Sequence, residues 1–221
     1  MISISYAITV CNEAEQLAEL LDKLLEKIDI NDEIVILHDE ENTTQEVIEV
    51  CRNYQYQFGK GMVQGFSHKL NNDFAAHKNF LNQCCTKDFI FQIDADETPN
   101  CALLNSIKGI INENPTVELY YIPRINTVSN ITDDHIKKWG WKVNEYGWIN
   151  FPDHQSRIYK RDNERIFWVN PVHERIIGHE QFALLPGQPE YCLYHRKDIK
   201  KQEDQNKFYN QIMKGRITFT R

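Results

Sequence analysis

The sequence predicts an α/β domain, a mostly parallel central sheet flanked by helices. Short apolar, β-branched runs at residues 4–10, 33–38, 89–93 and 119–122 alternate with helical periodicities, the pattern of parallel strands joined by right-handed crossovers. The first three runs each end at acidic or amide side chains, where open parallel sheets gather ligands. The composition, 41% hydrophobic and 26% charged, is that of a soluble globular chain.

The elements follow in order. Residues 4–10 form a buried strand, and Asn12 is expected to cap the next helix, with Glu15 completing a capping box. Leu17, Leu20, Leu21, Leu24, Leu25 and Ile28 then make one broad apolar stripe that packs on the sheet. A second strand at 33–38 precedes a helix carrying Val47, Ile48 and Cys51. Asp73 caps a third helix to about Cys85, a third strand at 89–93 ends on Asp94, and a helix at 101–112 leads to a strand at 119–122. Residues 126–152 show no clean period and crowd together Trp139, Trp141, Tyr146, Trp148 and Phe151; a long irregular stretch inside a compact domain is usually functional. Short strands are expected at 157–160, 166–169 and 191–194, with a polar helix at 198–213.

The 221 residues suit one domain. The net charge of −7 speaks against non-specific binding to nucleic acid or anionic membranes. The start of the sequence has no basic and apolar leader, and no apolar run approaches the roughly 20 residues of a membrane span. Six scattered cysteines without a C-x-x-C pair point to a reduced, cytoplasmic protein without a disulfide framework or structural zinc.

The chemistry concentrates at strand ends: Val10-Cys11-Asn12-Glu13, His38-Asp39-Glu40-Glu41 and Asp94-Ala95-Asp96-Glu97. Carboxylates gathered on one rim repel one another unless a cation intervenes, and a hard divalent ion such as Mg²⁺ or Mn²⁺ is the expected remedy. Asp94 and Asp96 form the chain's D-x-D; the bland alternative is a pair of turn and capping acids.

These segments resemble the GT-A fold glycosyltransferases of family 2, in particular the lipopolysaccharide-core glucosyltransferase-like members. The matching residues are Asn12-Glu13, Asp39, Lys78-Asn79, the Asp-Ala-Asp-Glu at 94–97, Arg124, Arg157-Ile158-Tyr159-Lys160 and Val172-His173-Glu174, over residues 3–195. The sequence departs from the family pattern at Thr9-Val10-Cys11, in lacking a glycine after Asp39, and at Lys78, where arginine is commoner and bidentate.

The resemblance implies one transferase domain over residues 1–221, with 1–122 as the nucleotide-sugar half and 123–221 as the acceptor half. It implies an inverting enzyme that moves a hexose from a nucleotide-diphosphate sugar, a UDP-sugar first among them, to a glycan or lipid-linked acceptor. Asp96, with Asp94, would hold Mn²⁺ or Mg²⁺ against the leaving diphosphate. Thr9, Glu13 and Asp39 would line the nucleotide pocket, and Lys78 and Arg157 would meet phosphate.

Inversion needs a carboxylate to deprotonate the acceptor: Glu174 first, Asp153 second. His173 and His195 are candidate third metal ligands. Each role has a structural alternative: ordinary hydrogen-bonded histidines, a surface pair between Glu174 and Arg175 or Arg196, an exposed strand Arg157. The aromatic cluster is either an acceptor platform or the completion of the core. Two rivals stand beside this reading. A sugar-1-phosphate nucleotidyltransferase would need a glycine-rich loop after the first strand, which residues 10–13 lack. A lapsed, non-catalytic binding module would not need both D-x-D acids.

Overall fold

The computed structural model describes residues 2–59 and 61–217, with side chains through residue 213. In the first half, β1 (Ile4–Val10), α1 (Ala14–Leu25), β2 (Glu33–Asp39), α2 (Gln45–Phe58), β3 (Val63–His68), α3 (Phe74–Cys84) and β4 (Phe89–Asp94) alternate strictly. β5 (Glu97–Pro99), α4 (Cys101–Glu113), β6 (Leu119–Ser129), α5 (Asp133–Trp139) and β7 (Ile149–Lys160) follow. The chain continues through β8 (Phe167–Val169), β9 (Arg175–Ile177), β10 (Phe182–Leu184), β11 (Leu193–Asp198) and α6 (Ile199–Ile217).

The main sheet runs in the order β3-β2-β1-β4-β7-β6-β11-β5, with β10 also paired to β6. β3, β2, β1 and β4 are mutually parallel, while β7 lies antiparallel between β4 and β6. β8 and β9 form a separate antiparallel pair. Side chains alternate across the sheet: Ile4, Tyr6 and Ile8 of β1 enter one core with Leu17, Leu20, Leu21 and Leu24 of α1 and Leu103 and Ile107 of α4. Ala7 faces the other core with Ala75 and Leu81 of α3, Trp168 and Ile176. Both faces are covered, as a parallel sheet requires. Each fully buried leucine of the α1 stripe contributes about 1.5–3 kcal/mol.

Three expectations are corrected. β3 is an additional strand; its sequence, VQGFSH, has little apolar alternation because it is an edge strand half-open to solvent. Glu13, not Asn12, holds the N-cap position of α1, and no side chain caps the helix. Instead the Glu13 carboxylate turns back to accept the N–H groups of Cys11 and Asn12 (3.1 and 3.0 Å), so there is no capping box with Glu15. The strand read at 119–122 extends to Ser129, and the aperiodic stretch after it holds α5 and a hairpin leading into β7. Asp73 does cap α3, accepting from the Ala76 N–H at 2.9 Å. All six cysteines are free thiols, and among the described residues no helix is long and apolar enough to cross a membrane.

Candidate active site

β2, β1 and β4 are adjacent and parallel, with Val10 opposite His38 and Thr9 opposite Asp94, so their acidic ends share one rim. The chain leaves β1 toward β2 and β3 on one side and returns at β4 on the other, which makes the β1–β4 boundary the topological switch point. A cleft of about 1350 Å³ opens there. Thr9, Glu13, Asp39, Lys78, Asp94, Asp96, Asp153, Arg157, His173, Glu174 and His195 all line it. The sequence therefore named residues from both halves that the fold gathers into one cavity.

The floor is a charged web. Arg157, 3% exposed, donates to Asp94 Oδ2 (2.8 Å), Glu97 Oε1 (2.5 Å) and the Gln92 side-chain carbonyl. Glu97 is fully buried and also accepts from Arg124 Nη1 at 2.9 Å. Thr9 Oγ1 and Gln92 Nε2 donate to Asp94 Oδ1 at 2.8 and 2.9 Å. Burial alone would raise the Asp94 carboxyl, but Lys78 and Arg157, with these two hydrogen bonds, hold it well below the usual range. Arg157 is thus neither an exposed strand residue nor free to clamp phosphate: its fork faces inward and sets the D-x-D turn from behind.

Asp153 belongs to the same web. Its Oδ2 accepts from Arg124 Nε and Nη2 (3.0 and 2.8 Å) and from Asn126 Nδ2 (2.7 Å), and Oδ1 accepts from Gln155 Nε2 (2.7 Å). Burial pushes this carboxyl up, but Arg124 and the two amides outweigh it and leave the group lowered. A carboxylate so occupied is a poor proton acceptor.

Asp96 stands in a different setting. Its Oδ2 lies 3.3 Å from Lys201 Nζ, 3.5 Å from His195 Nε2 and 3.9 Å from Lys197 Nζ. Lys201 also donates to Glu13 Oε1 at 2.9 Å. Against the penalty of burial, His195 and the two lysines drive the Asp96 carboxyl far down. The repulsion expected between rim acids is therefore offset by protein cations at Asp94, Asp96, Glu13 and Asp153, while Asp39 is held by hydrogen bonds from Asn42 and the Leu70 backbone.

His195 has the setting of a metal ligand. Asn126 donates its Nδ2 to Asp153, which only accepts, so the amide oxygen must face the other way. That oxygen accepts from His195 Nδ1 at 2.7 Å. With Nδ1 carrying the proton, Nε2, beside Asp96, is the nitrogen left to coordinate, as in metal sites where the distal N–H is fixed by a second partner. Asp96 and His195 thus fit a divalent ion with mixed oxygen and nitrogen ligands. They are a pair: among the described residues no group of three or more His, Cys, Asp or Glu side chains is gathered for a metal. His173 is not with them; its ring packs edge-on to Tyr209, 5.8 Å away on the opposite wall.

On that wall Lys78 is buried between two acids, 2.6 Å from Glu174 Oε1 and 3.6 Å from Asp94 Oδ1, with its ammonium 4.8 Å from the Trp168 ring centre. Its charge is engaged by both acids, and a more accessible cation, Lys201, 38% exposed, stands in the Asp96 group. Glu174 pairs with Lys78 rather than with Arg175 or Arg196. Asp39 accepts from the Leu70 N–H (3.1 Å) and Asn42 Nδ2 (2.5 Å), tying the end of β2 to the loop before α3. Lys197, Lys201, Asn126 and Glu97 were not singled out in the sequence; Glu97 alone carried a signal, as the last acid of a strand-end run.

A switch-point cleft floored by a strand-end D-x-D places the protein in the GT-A class of nucleotide-sugar transferase folds. The model of the glycosyl transferase family 2 domain matches residues 5–201, and the chain belongs to that family. Among solved structures, TarS of S. aureus superposes on 89% of this chain with a TM-score of 0.59 and 13% identity, over 37% of TarS. A TarS fragment, residues 1–349, solved with UDP-GlcNAc, gives the same TM-score at 14% identity, covering 89% of this chain and 59% of that one. The same fragment has been solved with UDP. The chain therefore spans little more than a third of TarS, with which it shares the fold. No curated protein matches the sequence.

Proposed function

We propose that the protein is a metal-dependent, inverting hexosyltransferase that uses a UDP-sugar donor and a glycan or lipid-linked acceptor. The observation that carries this reading is the Asp96–His195 pair, its coordinating nitrogen selected by Asn126, at the switch point of a family 2 domain. UDP and UDP-GlcNAc occupy the TarS fragment of the same fold, which supports a uridine nucleotide. The resemblance to lipopolysaccharide-core glucosyltransferase-like members rests on the Asp-Ala-Asp-Glu and Val-His-Glu runs.

Asp96 and His195 would hold Mn²⁺ or Mg²⁺, which when bound supplies Lewis-acid stabilisation of the departing diphosphate. The chain's own residues do the rest. Arg157, Thr9 and Gln92 fix Asp94 at the ribose side of the cleft, and Lys201 exchanges its carboxylate partners for phosphate oxygens. Glu13 and Asp39 shape the nucleotide pocket through the backbone amides they hold. Glu174 is the general base: Lys78 anchors Oε1, and Oε2 accepts the acceptor's proton. The acceptor oxygen forms the new glycosidic bond as the anomeric carbon–diphosphate bond breaks on the opposite face. In this assignment the half before residue 123 forms most of the donor side, and the half after it lends His195 and Lys201 to the donor and Glu174 to the acceptor.

The test is UDP release from a panel of UDP-sugars with Mn²⁺, Mg²⁺ or a chelator. One donor should be turned over, chelation should abolish turnover, and Asp96→Asn should lose both turnover and metal-supported UDP binding. Glu174→Gln should retain metal-supported UDP binding and lose transfer. Turnover by Asp96→Asn at the wild-type rate would refute the metal site; no turnover of any donor would favour a lapsed binding module.

A further inference from the structure

The rings between Trp139 and Phe151 belong to neither hydrophobic core. They pack on one another instead: Trp139 on Trp141 at 4.6 Å, Tyr146 on Trp148 at 5.0 Å, Trp148 on Phe151 at 4.8 Å between centroids. Tyr146 is 66% exposed. The loop that presents them is held by polar groups. Gly140 ends α5 in the left-handed region (φ 64°), Gly147 turns the tip (φ 76°), and Asn144 Oδ1 accepts from the N–H groups of Tyr146 and Trp148. Lys142 and Asn150 close the base with bonds of 2.9 and 2.7 Å. Amides therefore set the shape, and the rings are displayed rather than consumed by folding.

Two of these rings, Trp148 and Phe151, line a second cavity of about 450 Å³ together with Lys142, Asn144 and Asn150 among others. Its size falls within the ~300–1,000 Å³ of small-ligand sites. Asn150 lines both this cavity and the main cleft, and Trp141 lines the main cleft beside Asp153. The two spaces share Asn150 as a wall, with an indole lining each.

We infer that residues 140–151 form a second sugar subsite, so that the acceptor is bound as an oligosaccharide: the reacting sugar beside Trp141, the next one on Trp148. An indole face packs on the C–H face of a pyranose, and the neighbouring amides meet its hydroxyls. The side cavity is lined by one cation, Lys142, and no carboxylate, which suits a neutral or anionic sugar. This inference rests on the transferase reading of the main cleft only for the direction in which the chain of sugars runs.

The test uses an array of immobilised tri- to hexasaccharides, followed by titration of the best binder and of its constituent monosaccharide, read by tryptophan fluorescence. The oligosaccharide should bind at least tenfold more tightly than the monosaccharide. Trp148→Ala should erase that gain, Trp148→Phe should keep most of it, and UDP affinity in each variant reports that the fold is intact. In transfer assays Trp148→Ala should raise KM for the oligosaccharide without raising it for the monosaccharide. No oligosaccharide retained on the array, or an undiminished length dependence in Trp148→Ala, overturns the subsite. Oligosaccharide binding without donor turnover would sink the transferase reading and leave the subsite standing; turnover without length dependence would do the reverse.

Discussion

Two charge clusters share the floor of the cleft, one built on arginines and the other on lysines and a histidine, and they are arranged in opposite ways. In the web around the fully buried Glu97 the charges face one another: Arg124 and Arg157 are spent on Glu97, Asp94 and Asp153. In the ring around Asp96 three basic groups crowd one carboxylate at 3.3–3.9 Å, and the nearest, Lys201, is partly exposed. The first arrangement is a fixed scaffold. In the second, Lys201 bridges Asp96 and Glu13 while Lys197 stands beside Asp96, and the partly exposed lysine can trade a carboxylate for another anion. A D-x-D turn thus has one aspartate tied to the arginine web and one to the lysine–histidine ring.

The largest effect should come from breaking the scaffold. Glu97→Ala leaves two guanidinium groups short of a buried partner, and such a loss costs about 3–5 kcal/mol. Urea unfolding should show it, with Glu97→Gln milder; a change below 1 kcal/mol would mean the web is no scaffold.

A pH titration of stability separates both clusters from a third group. His77 is 4% exposed. Burial and then the neighbouring His68 push its imidazolium down to about 4, from the ordinary 6.5. The unfolded chain therefore binds more protons between those values, and stability is complete above pH 6.5 and falls as pH drops toward 4. The loss is about 3 kcal/mol. Asp94, Asp96 and Asp153 are all lowered, so their contribution disappears only below the ordinary carboxylate range, under pH 4. In His77→Gln most of the first phase should vanish, leaving the smaller part contributed by His179, which burial also lowers, and the second phase should remain; a first phase of undiminished size would refute His77 as its main source.

Asn126→Ala sharpens the comparison at the point where the clusters touch. Removing an outer partner of a coordinating histidine typically lowers metal affinity about 10–100-fold, which Mn²⁺ titration in the presence of UDP would read. The smallest stability effect is expected at Lys201→Met. An ion pair on a partly exposed lysine is worth less than ~1 kcal/mol, yet UDP affinity in chelator should fall several-fold, because that lysine is the accessible cation of the ring.

The first half was legible because its physics is local. Runs such as Ile34-Val35-Ile36-Leu37 are buried on both faces and show it in every residue, and Asp73 announces its helix by the N–H it accepts. β3 was not legible, since an edge strand needs no apolar alternation. The D-x-D stood out by ending a strand. Lys201 lies on a polar helix far along the chain, and nothing near it in sequence says that α6 starts beside Asp96. Lys78 and Arg157 were found as residues but not as roles: a basic side chain reads the same whether it faces a ligand or a buried carboxylate. The aromatic stretch was visible as composition, and only its exclusion from both cores decided between filler and display.

The hydrogen bonds from Asp153 through Asn126 to His195 run in a single direction. A carboxylate that donates nothing fixes which end of an amide points away from it, and that end fixes which ring nitrogen is bare. No single rotation can reverse the sequence without placing two acceptors or two donors face to face. An acid that never touches the imidazole therefore governs how the ring is presented to Asp96. An aspartate at position 126 would erase that instruction while changing the shape of the cleft by scarcely an atom.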